Sequence, residues 1–181
     1  MTKVIVRMDD LDPRIRVENL KPLHEEFVKR NIQMTVAVNS VMGWGYGFDK
    51  DVLDYVNNKT DPASWDIQLH GYEHERYWTY RESHFYRDMY ANLMLTKRDF
   101  IHSNPTIFYP PWNETNTTIE RICKELGLEV KTSTRTTHEL LKWNWTNKDQ
   151  ETLYYWHWWT PDDCAEIPAV LDKLLLIEKG K

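Results

Sequence analysis

Several things are scarce in this chain, and each scarcity narrows what it can be. Its 181 residues contain only two cysteines, Cys123 and Cys164, and neither belongs to a C-x-x-C pair. A paired-thiol motif is therefore absent, and two reduced thiols are expected. No apolar run approaches the roughly 18 residues of a membrane span. The opening MTKVIVRMDD enters a strand-like run too short for the apolar core of a signal peptide. Together these predict a soluble, cytoplasmic protein with no membrane partner. Basic clusters are also missing: Lys and Arg are scattered, the formal net charge is -5 and the pI is near 5.8. A surface for nucleic-acid phosphates is thus not expected. No glycine-rich phosphate fingerprint follows the first strand, which argues against a nucleotide-binding fold. Nor does a composition shift or a Pro/Ser-rich linker divide the chain, so a single domain over 1–181 is expected.

Aromatic residues, in contrast, are plentiful. Nine Trp, ten Tyr and five Phe sit in a chain whose mean hydropathy is -0.69. Many fall in polar stretches, where they serve either as buried anchors or as the lining of a ligand cleft. Asn-x-Thr triplets at Asn58, Asn113, Asn116 and Asn144 are read as chance, because no secretion signal accompanies them.

Short β-rich runs alternate with helical periodicity. KVIVRM, IQMTVAV, SWDIQLH, TIFYPP, LEVKTS and TLYYWHWW read as about six strands. Between them, Leu20, Leu23, Phe27 and Val28 form a helical stripe, DKDVLDYVNN a short helix, and residues 84–103 a long helix with Phe85, Met89, Leu93 and Phe100 on a shared face. Gly127 closes a helix over ETNTTIERICKELG. Thr160 and Pro161 open the last helix, which Pro168 is expected to kink or break. NSVMGWGYGF, with three glycines, reads as a loop. The alternation specifies a parallel sheet with crossover helices. A complete eight-unit barrel needs about 200 residues or more, so this length predicts an α/β fold of the distorted or incomplete (β/α) barrel kind.

In such folds the reactive groups collect at the C-terminal ends of strands, and there the chain places its unusual residues. IQLHGYEHERYW carries His70 and His74, four apart, and neutral imidazole is a common metal ligand. Asp9 and Asp10 end the first strand. In a regular strand they would point to opposite sides, while at a fraying end they can converge on one cation, one binding it and one free to take a proton. The competing reading is that DDLDP merely builds a turn. His157, within LYYWHWW, is either a buried histidine bonded to backbone or a general acid at the same sheet edge. His24, His84, His102 and His138 have no such setting and are read as structural or surface residues.

In order, RMDD, HGYEH, FYPPWN and YYWHW resemble the motifs of the polysaccharide deacetylases, the NodB-homology or family 4 carbohydrate esterase group, across residues 7–158. The resemblance implies a distorted (β/α) barrel that hydrolyses an acetamide, or a related amide or ester, on an amino sugar or other carbohydrate, with one divalent metal, usually zinc. It assigns the metal to Asp10, His70 and His74, the base to Asp9 and the acid to His157. Tyr109, Pro111 and Trp112 would wall the substrate groove, which the aromatic loops extend with Trp44 and Trp78. The Pro110–Trp112 stretch would also turn a backbone N–H toward the oxyanion. Two departures stand out. Tyr109 occupies the place of the third-motif arginine that orients the base, leaving Arg7 or Arg135 for that task. LKWNW offers Asn144 where the fourth motif has the aspartate that partners the histidine. A metal-containing protein that binds a glycan without turning it over is the alternative function. The sugar, acyl group and oligomeric state are not specified by the sequence.

Overall fold

The computed structural model describes residues 4–43, 45–133, 135–142 and 152–178. Six strands form one all-parallel sheet: β1 (Val4–Leu11), β2 (Met34–Asn39), β5 (Trp65–Gly71), β6 (Ile107–Phe108), β7 (Glu129–Val130) and β8 (Thr152–His157). Their spatial order is β7-β6-β5-β2-β1-β8, so β7 and β8 lie at the two ends and do not pair with each other. The result is an incomplete, distorted (β/α) barrel. The crossovers are α1 (Val17–Val28), α2 (Lys50–Asp54), α3 (Glu82–Asp99), α4 (Thr117–Glu125) and α5 (Thr137–Lys142), and α6 (Pro161–Glu178) follows β8.

Period-two alternation sorts the strand residues into two sets. Val6 and Met8 of β1, Val36 and Val38 of β2, Ile67 of β5, and Tyr154 and Trp156 of β8 pack with Leu20 and Phe27 of α1 and with Ile167, Val170 and Leu171 of α6. Leu69 and Phe108 pack with Phe85, Met89 and Leu93 of α3 and with Ile119, Ile122 and Cys123 of α4. The intervening positions, Arg7 and Asp9, Asn39, Gln68 and His70, and His157, lie on the opposite face. Apart from a small cluster of Ala37, Tyr109 and Leu153, that face is polar. One strand pattern thus feeds the core on one side and the candidate site on the other.

Several local expectations change. NSVMGWGYGF is not only loop: Val41–Met42 (β3) and Gly45–Tyr46 (β4) pair as a small antiparallel ribbon. Helix α5 had no periodic signal long enough to reveal it. Val28, placed on the buried stripe of α1, is exposed because the helix ends there, while His24 takes a buried position instead. Helix α6 runs unbroken past Pro168. The residue before it, Ile167, is fully buried in the core, and packing of that face outweighs the lost backbone hydrogen bond. The two cysteines are free. Among the described residues, no helix is long and apolar enough to cross a membrane.

Candidate metal centre

The two aspartates converge through a bulge rather than by fraying. Four residues of β1, Met8 to Leu11, stand against three of β2, Val36 to Val38. Asp10 sits within this irregularity with φ 58°, in the left-handed region. A regular strand would have turned its side chain toward the helices; the bulge re-aims it toward the polar face. A second bulge acts at His70: Leu69 pairs Val38 and Gly71 pairs Asn39, leaving His70 as the extra residue of β5. Gly71 has φ 133°, and a Cβ there would lie 2.6 Å from the Tyr77 hydroxyl. That hydroxyl donates to the carbonyl of Glu73 (2.6 Å) and accepts its N–H (3.1 Å), holding the loop that presents His74. From α3, buried Asn92 donates to the Gly71 carbonyl and to Ser40 Oγ (3.0 Å), tying two strand ends together.

Asp10 Oδ1 lies 3.2 Å from His70 Nε2 and 3.5 Å from His74 Nε2. One ligand atom from each of the three lies within 4.8 Å of the others. Buried Asn39 donates to the same Asp10 oxygen at 2.7 Å, and Trp158 Nε1 donates to the Asp10 carbonyl at 2.8 Å. His70 Nδ1 is 2.6 Å from the carbonyl of Tyr109. A carbonyl only accepts, so Nδ1 carries the hydrogen and the Nε2 lone pair of the neutral ring faces a carboxylate oxygen. Two acceptors at that distance repel unless a cation or proton lies between them. The donor set, two imidazoles and a carboxylate, suits zinc, and the Tyr109 carbonyl is the outer partner that such histidines use. Burial works to raise the Asp10 pKa, but when the three rings are protonated the hydrogen bond from His70 and the charges of His70, His74 and His157 outweigh it and hold the carboxyl at about 2. Burial works to lower that of His70, and the carboxylates of Asp9 and Asp10 override it, so His70 is raised. In His74, where burial prevails, the shift is downward.

Asp9 does not join the three. Arg7, fully buried, grips it through two hydrogen bonds, Nε to Oδ1 (2.6 Å) and Nη2 to Oδ2 (3.0 Å). Nη2 also donates to Asn113 Oδ1 (2.9 Å). The guanidinium lies 4.3 Å from the centre of the Tyr109 ring. Arg7, two residues away on the same strand, is therefore the cation that orients Asp9. Tyr109 itself is fully buried, which corrects its assignment as a groove wall: it supports Arg7 with its ring and His70 with its carbonyl. Pro111 is buried as well and likewise offers no side-chain surface. Of that stretch only Trp112 is exposed, at 56%. It is left-handed (φ 60°) and meets the His74 ring edge-on at 5.0 Å. Trp78, also exposed, donates from Nε1 to Glu114 on the same loop. Trp44 and Asn144 lie outside the described residues. The turn reading of DDLDP falls on Asp12 instead, whose Oδ1 accepts the N–H of Arg14 at 2.8 Å.

His157 brings its Nε2 to 3.9 Å from Asp10 Oδ2. Its ring stacks on Trp159 (4.7 Å between centroids) and meets Tyr155 edge-on (5.5 Å). Sequence reasoning missed Trp159, Asn39, Asn92, Asn113 and Asp163, because each acts through a partner distant in sequence or across a turn. For Trp159 alone a signal existed, the alternation of YYWHWW.

No protein-family model and no curated protein matches this chain. Solved structures do match. A family 4 carbohydrate esterase from Streptomyces lividans, in complex with acetate, superposes with a TM-score of 0.74 at 15% identity, over 96% of this chain and 88% of that one. The chitin deacetylase of Colletotrichum lindemuthianum gives 0.75 at 13% identity, over 96% and 81%. A CE4 family pseudoenzyme from Bacillus anthracis gives 0.73 at 13% identity, over 96% and 61%. The chain therefore has the polysaccharide-deacetylase fold, as its ordered motifs implied.

Proposed function

We propose that the chain, a single catalytic domain, is a metal-dependent hydrolase that removes an acetyl or related acyl group from an amino sugar or other carbohydrate. One observation carries this reading: two imidazoles and a carboxylate able to hold a cation gather on the sheet edge that also bears an arginine-held carboxylate, Asp9, and an imidazole, His157. Asp10, His70 and His74 would hold the cation, zinc in our reading. When bound, such an ion supplies a Lewis acid and lowers the pKa of the water it binds. Asp9, oriented by its two hydrogen bonds from Arg7, takes the proton of the attacking water, whose oxygen bonds to the acyl carbon. His157 gives its proton to the nitrogen as the C–N bond breaks. Exposed Trp112, Trp78 and Trp159 offer flat apolar faces to a sugar ring. The esterase and deacetylase neighbours support the substrate class.

The second reading, a glycan binder without turnover, draws on the pseudoenzyme that shares the fold. One substitution separates the two. In an enzyme, Asp9→Asn lowers acetate release from a panel of acetylated sugars by about 10²–10⁴-fold, with metal content by elemental analysis unchanged. Acetate release equal to wild type would remove Asp9 as base, and wild-type protein that releases none would leave the binder.

A further inference from the structure

Asp163 occupies an odd position for a surface acid. Its neighbour Asp162 shares the first turn of α6, where both favour the helix dipole, and is exposed. Asp163 is turned back toward β8. Its Oδ2 accepts the backbone N–H of His157 at 3.1 Å and lies 3.8 Å from His157 Nδ1. On the other side of the ring, Nε2 faces Asp10. Dipole stabilisation accounts for an acid in this turn, not for its direction. The ring is already confined: Trp159 covers one face and Tyr155 meets it edge-on. At 3.8 Å the Nδ1–carboxylate contact is just beyond hydrogen-bond range, and such contacts in unliganded sites commonly tighten on binding.

We infer that Asp163 is the positioning residue of His157, accepting its Nδ1–H and so directing Nε2 to the reacting centre. In this role it serves where the sequence offers Asn144. The carboxylate fixes one tautomer: hydrogen on Nδ1 in the neutral ring, Nε2 free to take up a proton and to hand it to the departing amine nitrogen. Asp163 touches no substrate and gains no proton; it acts through the ring. The kinetic half of this inference rests on the hydrolase reading, but the tautomer does not.

The test pairs a spectroscopic and a kinetic readout on the full chain. Nitrogen-15 NMR of the His157 ring at alkaline pH, with and without zinc, should show the Nδ1–H tautomer in wild type and a shift toward Nε2–H in Asp163→Asn. Turnover is then compared on an N-acetyl amino sugar and on 4-nitrophenyl acetate, whose leaving group departs without a proton. Asp163→Asn and Asp163→Ala should lower kcat on the amide about 10²-fold with KM little changed, so that the amide-to-ester ratio falls by at least about tenfold. Asp163→Glu should recover part of it. An Nε2–H tautomer in wild type overturns the inference, as does an equal fall on both substrates, which marks a structural role. If wild type hydrolyses neither substrate the hydrolase reading fails, and the tautomer alone decides whether Asp163 directs the ring.

Discussion

Two buried histidines sit at opposite ends of the same sheet, and comparing them shows what burial does not decide. His24, near the N-terminal ends of β2 and β5, is 1% exposed, and His70, at the C-terminal end of β5, is 2% exposed. Both have partners on both ring nitrogens. His24 bridges Tyr55 Oη (3.0 Å) and Ser64 Oγ (2.9 Å), and the Ser64 hydroxyl is 2.5 Å from the Asp61 carbonyl. That chain closes with neutral groups: Tyr55 donates to Nδ1, Nε2 donates to Ser64, and Ser64 donates to the carbonyl. It stacks on Trp65 at 3.9 Å. His24 even borders a cavity of about 640 Å³, yet its hydrogen bonds leave nothing for a ligand to satisfy. His70 faces a carboxylate with its lone pair, and its chain stays open until a cation or proton closes it. The unfinished hydrogen bond, more than the hollow, marks the chemistry.

The contrast is breakable, most sharply by truncating each ring. His70→Ala should abolish stoichiometric zinc binding in titration calorimetry while the fold survives. His24→Ala should leave zinc binding as in wild type but cost roughly 2–4 kcal/mol of stability in denaturant melts, for the lost packing and two orphaned hydroxyls. Loss of zinc from His24→Ala at full folding would erase the distinction.

Acid sharpens it. Burial depresses His24 from its ordinary 6.5 to about 4. Between those values the unfolded chain binds the proton and the folded one does not. The stability this neutral ring contributes is therefore intact above pH 6.5 and declines as pH falls toward 4, by on the order of 3 kcal/mol in all. His24→Gln should flatten that part of the stability–pH curve; an unchanged curve would show that His24 titrates normally.

A smaller effect belongs to Asn39, which donates to Asp10 Oδ1 beside His70. Asn39→Ala should weaken zinc about 10–100-fold, the usual worth of an outer partner, and leave the His24 end untouched. An unaltered zinc affinity would mean that Asn39 only fills space.

Much of this was legible in the residues. The six strands, the crossover helices other than α5 and the gathering of Asp10, His70 and His74 at one edge were predictable because period-two and period-3.6 patterns are local, and because polar groups in such folds collect where strands end. What the pattern does not encode is where a ladder gains a residue. Nothing in RMDDLD or QLHGYE announces a bulge, since bulges are defined against the opposing strand. Tyr109 misled for a related reason. The resemblance puts it on a groove wall, but in the fold its ring is enclosed by Ala37, Leu153 and the guanidinium of Arg7, all distant in sequence. Asp163 looked like an ordinary first-turn acid because helix position explains its presence, and only the fold shows its direction.

The left-handed Trp112 carries a consequence for anyone selecting variants of this protein. A bulky residue in that conformation costs on the order of 1 kcal/mol or more relative to glycine, and this one leaves 56% of its surface in water. A screen that rewards heat resistance alone should therefore enrich Trp112→Gly, raising the melting temperature by a few degrees for about 1 kcal/mol, at the expense of the sugar contact proposed for this ring. A screen that rewards growth on the substrate should restore tryptophan. On the proposed reading, thermal endurance and ligand recognition pull toward different amino acids at this position.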